Sequence, residues 1–249
     1  MPSVLTIGGS DSSGGAGIQA DLRTLASLGV HGATAITAIT AQNARGVTAL
    51  APIAADLVTA QIEAASADGA IGATKIGMLA TSAIAEAVAA AIEALALPLV
   101  VLDPVLASTS GTRLLDDEGV QTLIIELLPR ALVVTPNIPE AEALSGRRIA
   151  SREDVRDAAR RLHDMAAENV IIKGGHSAGP DAIDLLFDGR AFHELRTERI
   201  DAPNVRGTGC SHASALAAFL ALGERLPQAA AKAQRYVANV IVRRVRGRT

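Results

Sequence analysis

Short apolar runs alternate with segments of helical period along the chain. Val4–Gly8 reads as a buried strand, and the Gly- and Ser-rich run 8–17 is too flexible for an element interior. Ile18, Leu22, Leu25 and Leu28 then recur at helical spacing until Gly29 stops them. Ala33–Thr40 and Val47–Leu50 have strand character. From Asp56 the order repeats: a helix over Leu57–Ser66, a strand at Ala73–Ile76, a helix over Ala83–Leu95 and an apolar strand at Leu99–Leu102. A helix over Gly119–Leu128, a strand at Ala131–Val134 and helices near Pro139–Leu144 and Arg152–Ala167 follow, the last capped by Ser151 with Asp154. Val170–Ile172 is a strand, Ile183–Phe187 and Ala191–Arg196 flank the hairpin signal Asp188-Gly189, and Ser211–Leu222 and Pro227–Val242 are helices.

This alternation predicts an α/β fold in three layers, a mainly parallel central sheet covered by helices on both faces. One composition, with no long linker and no repeat, predicts a single domain over 1–249. Ligands in such sheets bind beyond the carboxyl ends of the strands, which gathers Gly9, Gln42, Gly77, Asp103, Pro136 and Gly174 near one edge.

Composition narrows the classes. With 49% apolar and 20% charged residues the chain is not disordered. Mean hydropathy is +0.30, carried by alanine, and no run supplies the roughly 20 apolar residues of a membrane span. The net charge of −3 and the single basic run, Arg243, Arg244, Arg246 and Arg248, read as a solvated end, and 2% aromatics offer no base-stacking platform, so neither nucleic acid nor membrane is an expected partner. Cys210 is the one cysteine, which excludes an internal disulfide. With no secretory pattern at the N-terminus, the expected compartment is the cytoplasm.

The glycine loops carry the candidate chemistry. Gly9 to Gly14 has P-loop spacing, but Gly15 and Ala16 stand where Lys and Ser/Thr belong. Gly15-Ala16-Gly17-Ile18-Gln19-Ala20 fits a dinucleotide fingerprint without its acidic partner, since no Asp or Glu lies between Asp21 and Asp56. Its glycines either let the chain turn or contact a substrate through backbone N–H groups. Gly207-Thr208-Gly209-Cys210 opens a helix, where free N–H groups at the positive end of the dipole favour an anion. Cys210 beside that helix start is expected to have a lowered pKa and to act as base or nucleophile, or else to be a small buried thiol. Asn137 and Glu140 either hold hydrated Mg²⁺ or form a helix cap. Lys173, at a strand end before glycines, suits phosphate. Gln42 offers donor and acceptor to a heteroaromatic edge, and the charge of Asp21 complements a helix start.

In order along the chain stand Gly14-Gly15-Ala16-Gly17-Ile18-Gln19-Ala20-Asp21, Ala41-Gln42-Asn43, Lys75-Ile76-Gly77-Met78, Asp103-Pro104-Val105, Thr135-Pro136-Asn137 with Pro139-Glu140, Lys173-Gly174-Gly175-His176 and Gly207-Thr208-Gly209-Cys210. This set, over roughly residues 3–240, resembles the hydroxymethylpyrimidine/phosphomethylpyrimidine kinases of thiamine biosynthesis, within the ribokinase-like superfamily. The resemblance implies a ribokinase-like fold and ATP- and Mg²⁺-dependent phosphorylation of 4-amino-5-hydroxymethyl-2-methylpyrimidine, then of its monophosphate, often in a homodimer. By similarity, Gly207, Thr208 and Gly209 form the anion hole, and Cys210 takes the place of an aspartate base. Gly9, Asp21, Gln42, Met78 and Val105 line the pyrimidine pocket. Asn137, Lys173 and Thr208 face ATP, and Asp103 and Glu140 lie near Mg²⁺. Three features depart from the pattern: Arg206 precedes the anion-hole loop where relatives often carry His, which bears on nucleotide contacts; the stretch Ala107-Ser108-Thr109-Ser110-Gly111 lacks a lysine that many relatives carry there, leaving its Ser and Thr to contact phosphate; and the usual Gly-Pro-containing C-terminal segment is missing. A kinase restricted to the free alcohol, including pyridoxine, and a non-catalytic pyrimidine sensor remain as alternatives.

Overall fold

The structure is a computed structural model that describes residues 1–174, 179–200, 202 and 205–247; Gly175, His176 and Arg248 lie outside the described residues. The strands are β1 (Ser3–Asp11), β2 (His31–Asn43), β3 (Gly46–Pro52), β4 (Ala73–Ile76), β5 (Val100–Leu102), β6 (Val133–Val134), β7 (Val170–Ile172), β8 (Asp181–Phe187) and β9 (Phe192–Glu198). They form one sheet in the order β3-β2-β1-β4-β5-β6-β7-β8-β9. Neighbours from β2 through β7 are parallel, and the antiparallel pairs β2–β3 and β7–β8–β9 lie towards the two edges.

The helices are α1 (Gly17–Ser27), α2 (Ala55–Ala67), α3 (Ser82–Ala94), α4 (Asp117–Thr122), α5 (Ile138–Ser145), α6 (Arg152–Asp164), α7 (Thr208–Ala221) and α8 (Leu226–Val245). Alternate strand residues face opposite layers. Leu5, Ile76, Leu102, Val134 and Ile172 pack with Ile62, Ile84, Leu144 and Leu162 from α2, α3, α5 and α6. Val4, Ala73, Val101, Val133 and Ile171 pack with Leu25, Leu216 and Ala230 from α1, α7 and α8. The three-layer expectation holds, and strands buried on both faces explain why their sequences are uniformly apolar.

Element limits differ where tertiary packing overrides local signals. β1 continues through the glycines to Asp11: beyond Ile7 it leaves β4 and pairs only with β2, Ser10 with Ile39 and Asp11 with Thr40. This parting of β1 from β4 is the switch point of the sheet, where a crevice opens at the strand ends. The helix expected at Gly119 starts at Asp117, because the Asp116 carboxylate accepts the Gly119 N–H. It loosens into a wider turn over Leu123–Leu127 and a 3₁₀ turn over Leu128–Arg130, since Pro129 has no N–H to continue the α pattern. α7 begins at Thr208, not Ser211, so Cys210 lies inside its first turn.

Candidate active site

The ends of six strands, β1, β2, β4, β5, β6 and β7, supply the site. The Asp103 N–H bonds the Ile76 carbonyl, that of Thr135 bonds Leu102, and that of Lys173 bonds Pro136, so three polar residues line up just past β5, β6 and β7. Lys173 Nζ lies 2.7 Å from Asp103 Oδ1, which also accepts the Thr135 hydroxyl at 3.2 Å. Burial works against the charge on Asp103, but Lys173 and Lys75 outweigh it and hold the carboxyl below its ordinary value. Burial likewise opposes the charge on Lys173, and Asp103 and Glu140 more than restore it.

The start of α7 faces this pair. Gly207 is the N-cap, with φ +75°, and carries no side chain to close the helix. The Ser211 N–H is taken by the Gly207 carbonyl, and the N–H groups of Thr208, Gly209 and Cys210 have no backbone partner among the described residues. A Cβ on Gly207 would fall well under 3.0 Å from the Gly15 carbonyl oxygen, and one on Gly209 would stand 3.5 Å from Lys173 Nζ. Gly207 thus lets the turn press against the first glycine loop, and Gly209 keeps the space above Lys173 open.

The expected activation of Cys210 is not realised. Burial pushes its thiol up to about 11, and the pull of Lys75 is too weak to offset this. Desolvation is the largest cause, with Asp21 and Asp103 adding repulsion, while Lys75 and a hydrogen bond from the Gly17 N–H pull the other way.

Asn137 and Glu140 form a reciprocal cap on α5: the Asn137 side chain accepts the Glu140 N–H at 2.9 Å, and Glu140 Oε2 accepts the Asn137 N–H at 2.8 Å. Both readings of the pair stay compatible, because Oε1 is not used by the cap. Burial pushes the Glu140 carboxyl up to about 7, with Lys173 opposing and Asp103 adding to the rise. This is the behaviour of a carboxylate lacking a full counter-charge.

Of the residues expected around the pyrimidine, Gly9 and Met78 meet: a Cβ on Gly9 would lie 2.8 Å from the Met78 sulfur. Gln42 is half-buried at the end of β2, its N–H donating to Ser12 of the glycine loop at 2.9 Å. Val105 is half-buried just past Asp103. The Val105 N–H donates to the Asp103 carbonyl at 2.8 Å, whereas among the described residues no hydrogen bond ties Gln42 to the Asp103–Lys173 pair. Asp21 lies underneath, fully buried, accepting from Thr6 at 2.6 Å, Lys75 at 2.8 Å and Ser214 at 2.8 Å. Its carboxylate oxygens are thus both engaged by the protein.

Three groups take parts that the sequence did not assign to them. Asp11 organises the glycine loop, accepting from Ser13, Ala16 and Arg206. Arg206 pairs with Asp11, 195 residues away. His212, one turn beyond Gly209, is buried with no hydrogen bond to either ring nitrogen among the described residues, Nε2 standing 3.9 Å from Asp184, and burial holds its pKa down to about 3. Hydropathy patterns carry no signal for pairings this distant in sequence.

An uncapped helix start facing a lysine–aspartate pair, at the strand ends of a three-layer sheet, has the ribokinase-like kinase architecture. Among solved structures it is similar to pyridoxal kinase from Staphylococcus aureus in complex with AMP-PCP and pyridoxal, with a TM-score of 0.87 and 38% identity over 97% of this chain and 88% of that one. More narrowly, the chain belongs to the phosphomethylpyrimidine kinase family, whose model matches residues 11–248. A hydroxymethylpyrimidine/phosphomethylpyrimidine kinase of Rhizobium meliloti is 47% identical over 94% of this chain and 88% of its own length. A thiamine biosynthesis bifunctional protein of Geobacter sulfurreducens is 46% identical over 96% of this chain, which spans 49% of that longer protein.

Proposed function

We propose that residues 1–249 act as one kinase domain that transfers phosphate from ATP to 4-amino-5-hydroxymethyl-2-methylpyrimidine and then to its monophosphate, in thiamine biosynthesis. The observation that carries this reading is the uncapped turn Thr208–Cys210 facing Lys173 and Asp103. Phosphoryl transfer asks chiefly for positioning and charge neutralisation. Backbone N–H groups at a fixed helix start supply both without reorganising.

The acceptor oxygen enters between the first glycine loop and α7, the pyrimidine resting towards Gly9, Met78, Val105 and Gln42. One phosphorus–oxygen bond forms to it as the bond to the ADP oxygen breaks. Thr208, Gly209 and Cys210 donate N–H groups to the transferring group, and Lys173, kept charged and aimed by Asp103, adds a cation. With its thiol protonated at neutral pH, Cys210 does not withdraw the alcohol proton ahead of transfer. In a loose transition state that proton leaves late, passing to an oxygen of the transferred phosphoryl group or to water, and the monophosphate attacks with an oxygen already ionised.

The donors present fit Mg²⁺. Glu140 Oε1 and Asp103 Oδ2 accept no hydrogen bond among the described residues. No cluster of three or more carboxylate, His or Cys ligands exists among the described residues. Glu140 and Asp103 would hold the ion, since carboxylate oxygens are the hard donors that Mg²⁺ prefers. When bound, the ion would neutralise charge developing between the β- and γ-phosphates.

A homodimer in the cytoplasm accompanies this reading; no helix among the described residues is long and apolar enough to cross a membrane. ADP release is measured with hydroxymethylpyrimidine, its monophosphate, pyridoxal, pyridoxine and ribose. Turnover of both pyrimidines supports the reading. Turnover of the free alcohols alone makes the protein a restricted kinase. Tight pyrimidine binding without ADP release makes it a sensor.

A further inference from the structure

The residue before the anion turn is tied down on three sides. The Arg206 guanidinium donates from Nη2 to Asp11 Oδ2 at 2.9 Å and from Nη1 to the Ser13 hydroxyl at 3.2 Å, both on the first glycine loop. Its carbonyl accepts from Arg244 Nη1 at 2.6 Å, near the end of α8. One residue further on, Gly207 presses against the Gly15 carbonyl. A steric contact and an ionic fork therefore join the same two loops, a single peptide apart.

We propose that Arg206 is a positioning residue for phosphoryl transfer: through Asp11 and Ser13 it locks the first glycine loop to the anion turn, and Arg244 holds the peptide entering that turn. The inference deepens the kinase reading and rests on it. The charge of Arg206 is not aimed at phosphate. Asp11, 2% exposed, neutralises it at 2.9 Å. The fork also matters more than the charge, because a planar guanidinium reaches Asp11 and Ser13 together while an ammonium presents a single point. The peptide planes of the turn are what the fork and Arg244 set, so the consequence falls on the aim of the Thr208–Cys210 N–H groups. A misplacement of about 1 Å at such a group costs on the order of 10²-fold in rate.

The test compares kcat and both KM values of wild type, Arg206→Gln and Arg206→Lys, using ADP release with the pyrimidine monophosphate and melting as a fold check. The expected result is a fall in kcat of roughly 10- to 100-fold in both variants, with each KM within about threefold. Addition of free guanidinium to Arg206→Ala restores several-fold of the loss, as a folding defect would not. Full kcat in Arg206→Lys overturns the proposal, and so does a raised KM for ATP at unchanged kcat, which marks a phosphate ligand. Should the Arg206 variants fail to fold, Arg244→Gln reads the same lock: a kcat three- to tenfold lower supports it, and an unchanged kcat overturns it. An inert wild type would sink the kinase reading separately. AMP-PCP then serves as the probe in amide spectra of glycine-labelled protein: a Gly209 shift present in wild type and lost in Arg206→Gln supports the lock, and an equal shift in both overturns it.

Discussion

Replacing Gly207 by alanine perturbs the anion turn at its tightest point. The residue sits at φ +75°, and the new Cβ would overlap the Gly15 carbonyl oxygen while standing 3.2 Å from Ala16 Cα and Gly15 C. The backbone term alone costs about 1–2 kcal/mol. The overlap has no flexible side chain to yield, because its partners are main-chain atoms. Relief requires the turn and the glycine loop to part by about 1 Å, which takes the Thr208–Cys210 N–H groups off their target. Loss of a single donor of this kind costs about 2.7–4 kcal/mol of transition-state stabilisation, or 10²–10³ in kcat. Gly207→Ala is therefore expected to lose about 100-fold or more in kcat while losing only about 1–3 kcal/mol of stability. Gly209→Ala is the control, since its Cβ would stand in ordinary contact 3.5 Å from Lys173 Nζ. It should fold normally and raise the KM for ATP by crowding the space above the lysine. Steady-state ADP release and urea unfolding measure both variants; a Gly207→Ala enzyme within about threefold of wild-type kcat would refute the argument.

Other expectations follow from the groups beneath the site. Lys75 and Asp21 are 1% and 0% exposed, so Lys75→Met strands a buried carboxylate and should cost about 3–5 kcal/mol in urea unfolding. Adding Asp21→Asn to Lys75→Met should recover much of that loss, and a cost under about 1 kcal/mol for Lys75→Met would show that the pair is not structural. Burial depresses the His212 pKa to about 3, so its contribution to stability is complete above the unfolded value near 6.5 and drains away as pH falls towards the folded one. At pH 5 the drain amounts to about 2 kcal/mol, so the stability of His212→Leu relative to wild type should rise by that amount between pH 8 and pH 5; a constant difference would contradict the assignment. Cys210→Ala keeps the main-chain N–H and removes only a protonated thiol, so it should lower both transfers by a similar factor, less than about 10-fold. A loss confined to the free alcohol would show that the thiol acts as its base.

The sheet was legible because strands covered on both faces must be apolar and the helices between them must be amphipathic. The caps at Ser151–Asp154 and Asn137–Glu140 were legible because both partners lie within one helical turn. The anion turn was legible from Gly207 and Gly209, although α7 starts three residues earlier than its apolar period suggests: the glycines conceal a helix start that lacks hydrophobic residues. What stayed hidden depends on contacts across the chain. The glycines of β1 look like a loop until β2 pairs with them. Asp21 reads as a helix-start charge until Lys75, 54 residues on, turns it into half of a buried ion pair. Cys210 reads as activated from its position alone, and only the packing around α7 reverses the sign of the shift. Arg206 and Asp11 have no local pattern linking them.

The central claim is that the amides opening α7 hold the transferring phosphoryl group. A crystal structure with ADP, Mg²⁺, a planar phosphoryl mimic and the pyrimidine tests it directly. The account predicts oxygens of the mimic about 3 Å from the N–H groups of Gly209 and Cys210, with Lys173 Nζ in contact. A mimic bound instead against the first glycine loop, with no contact to those amides, would contradict it.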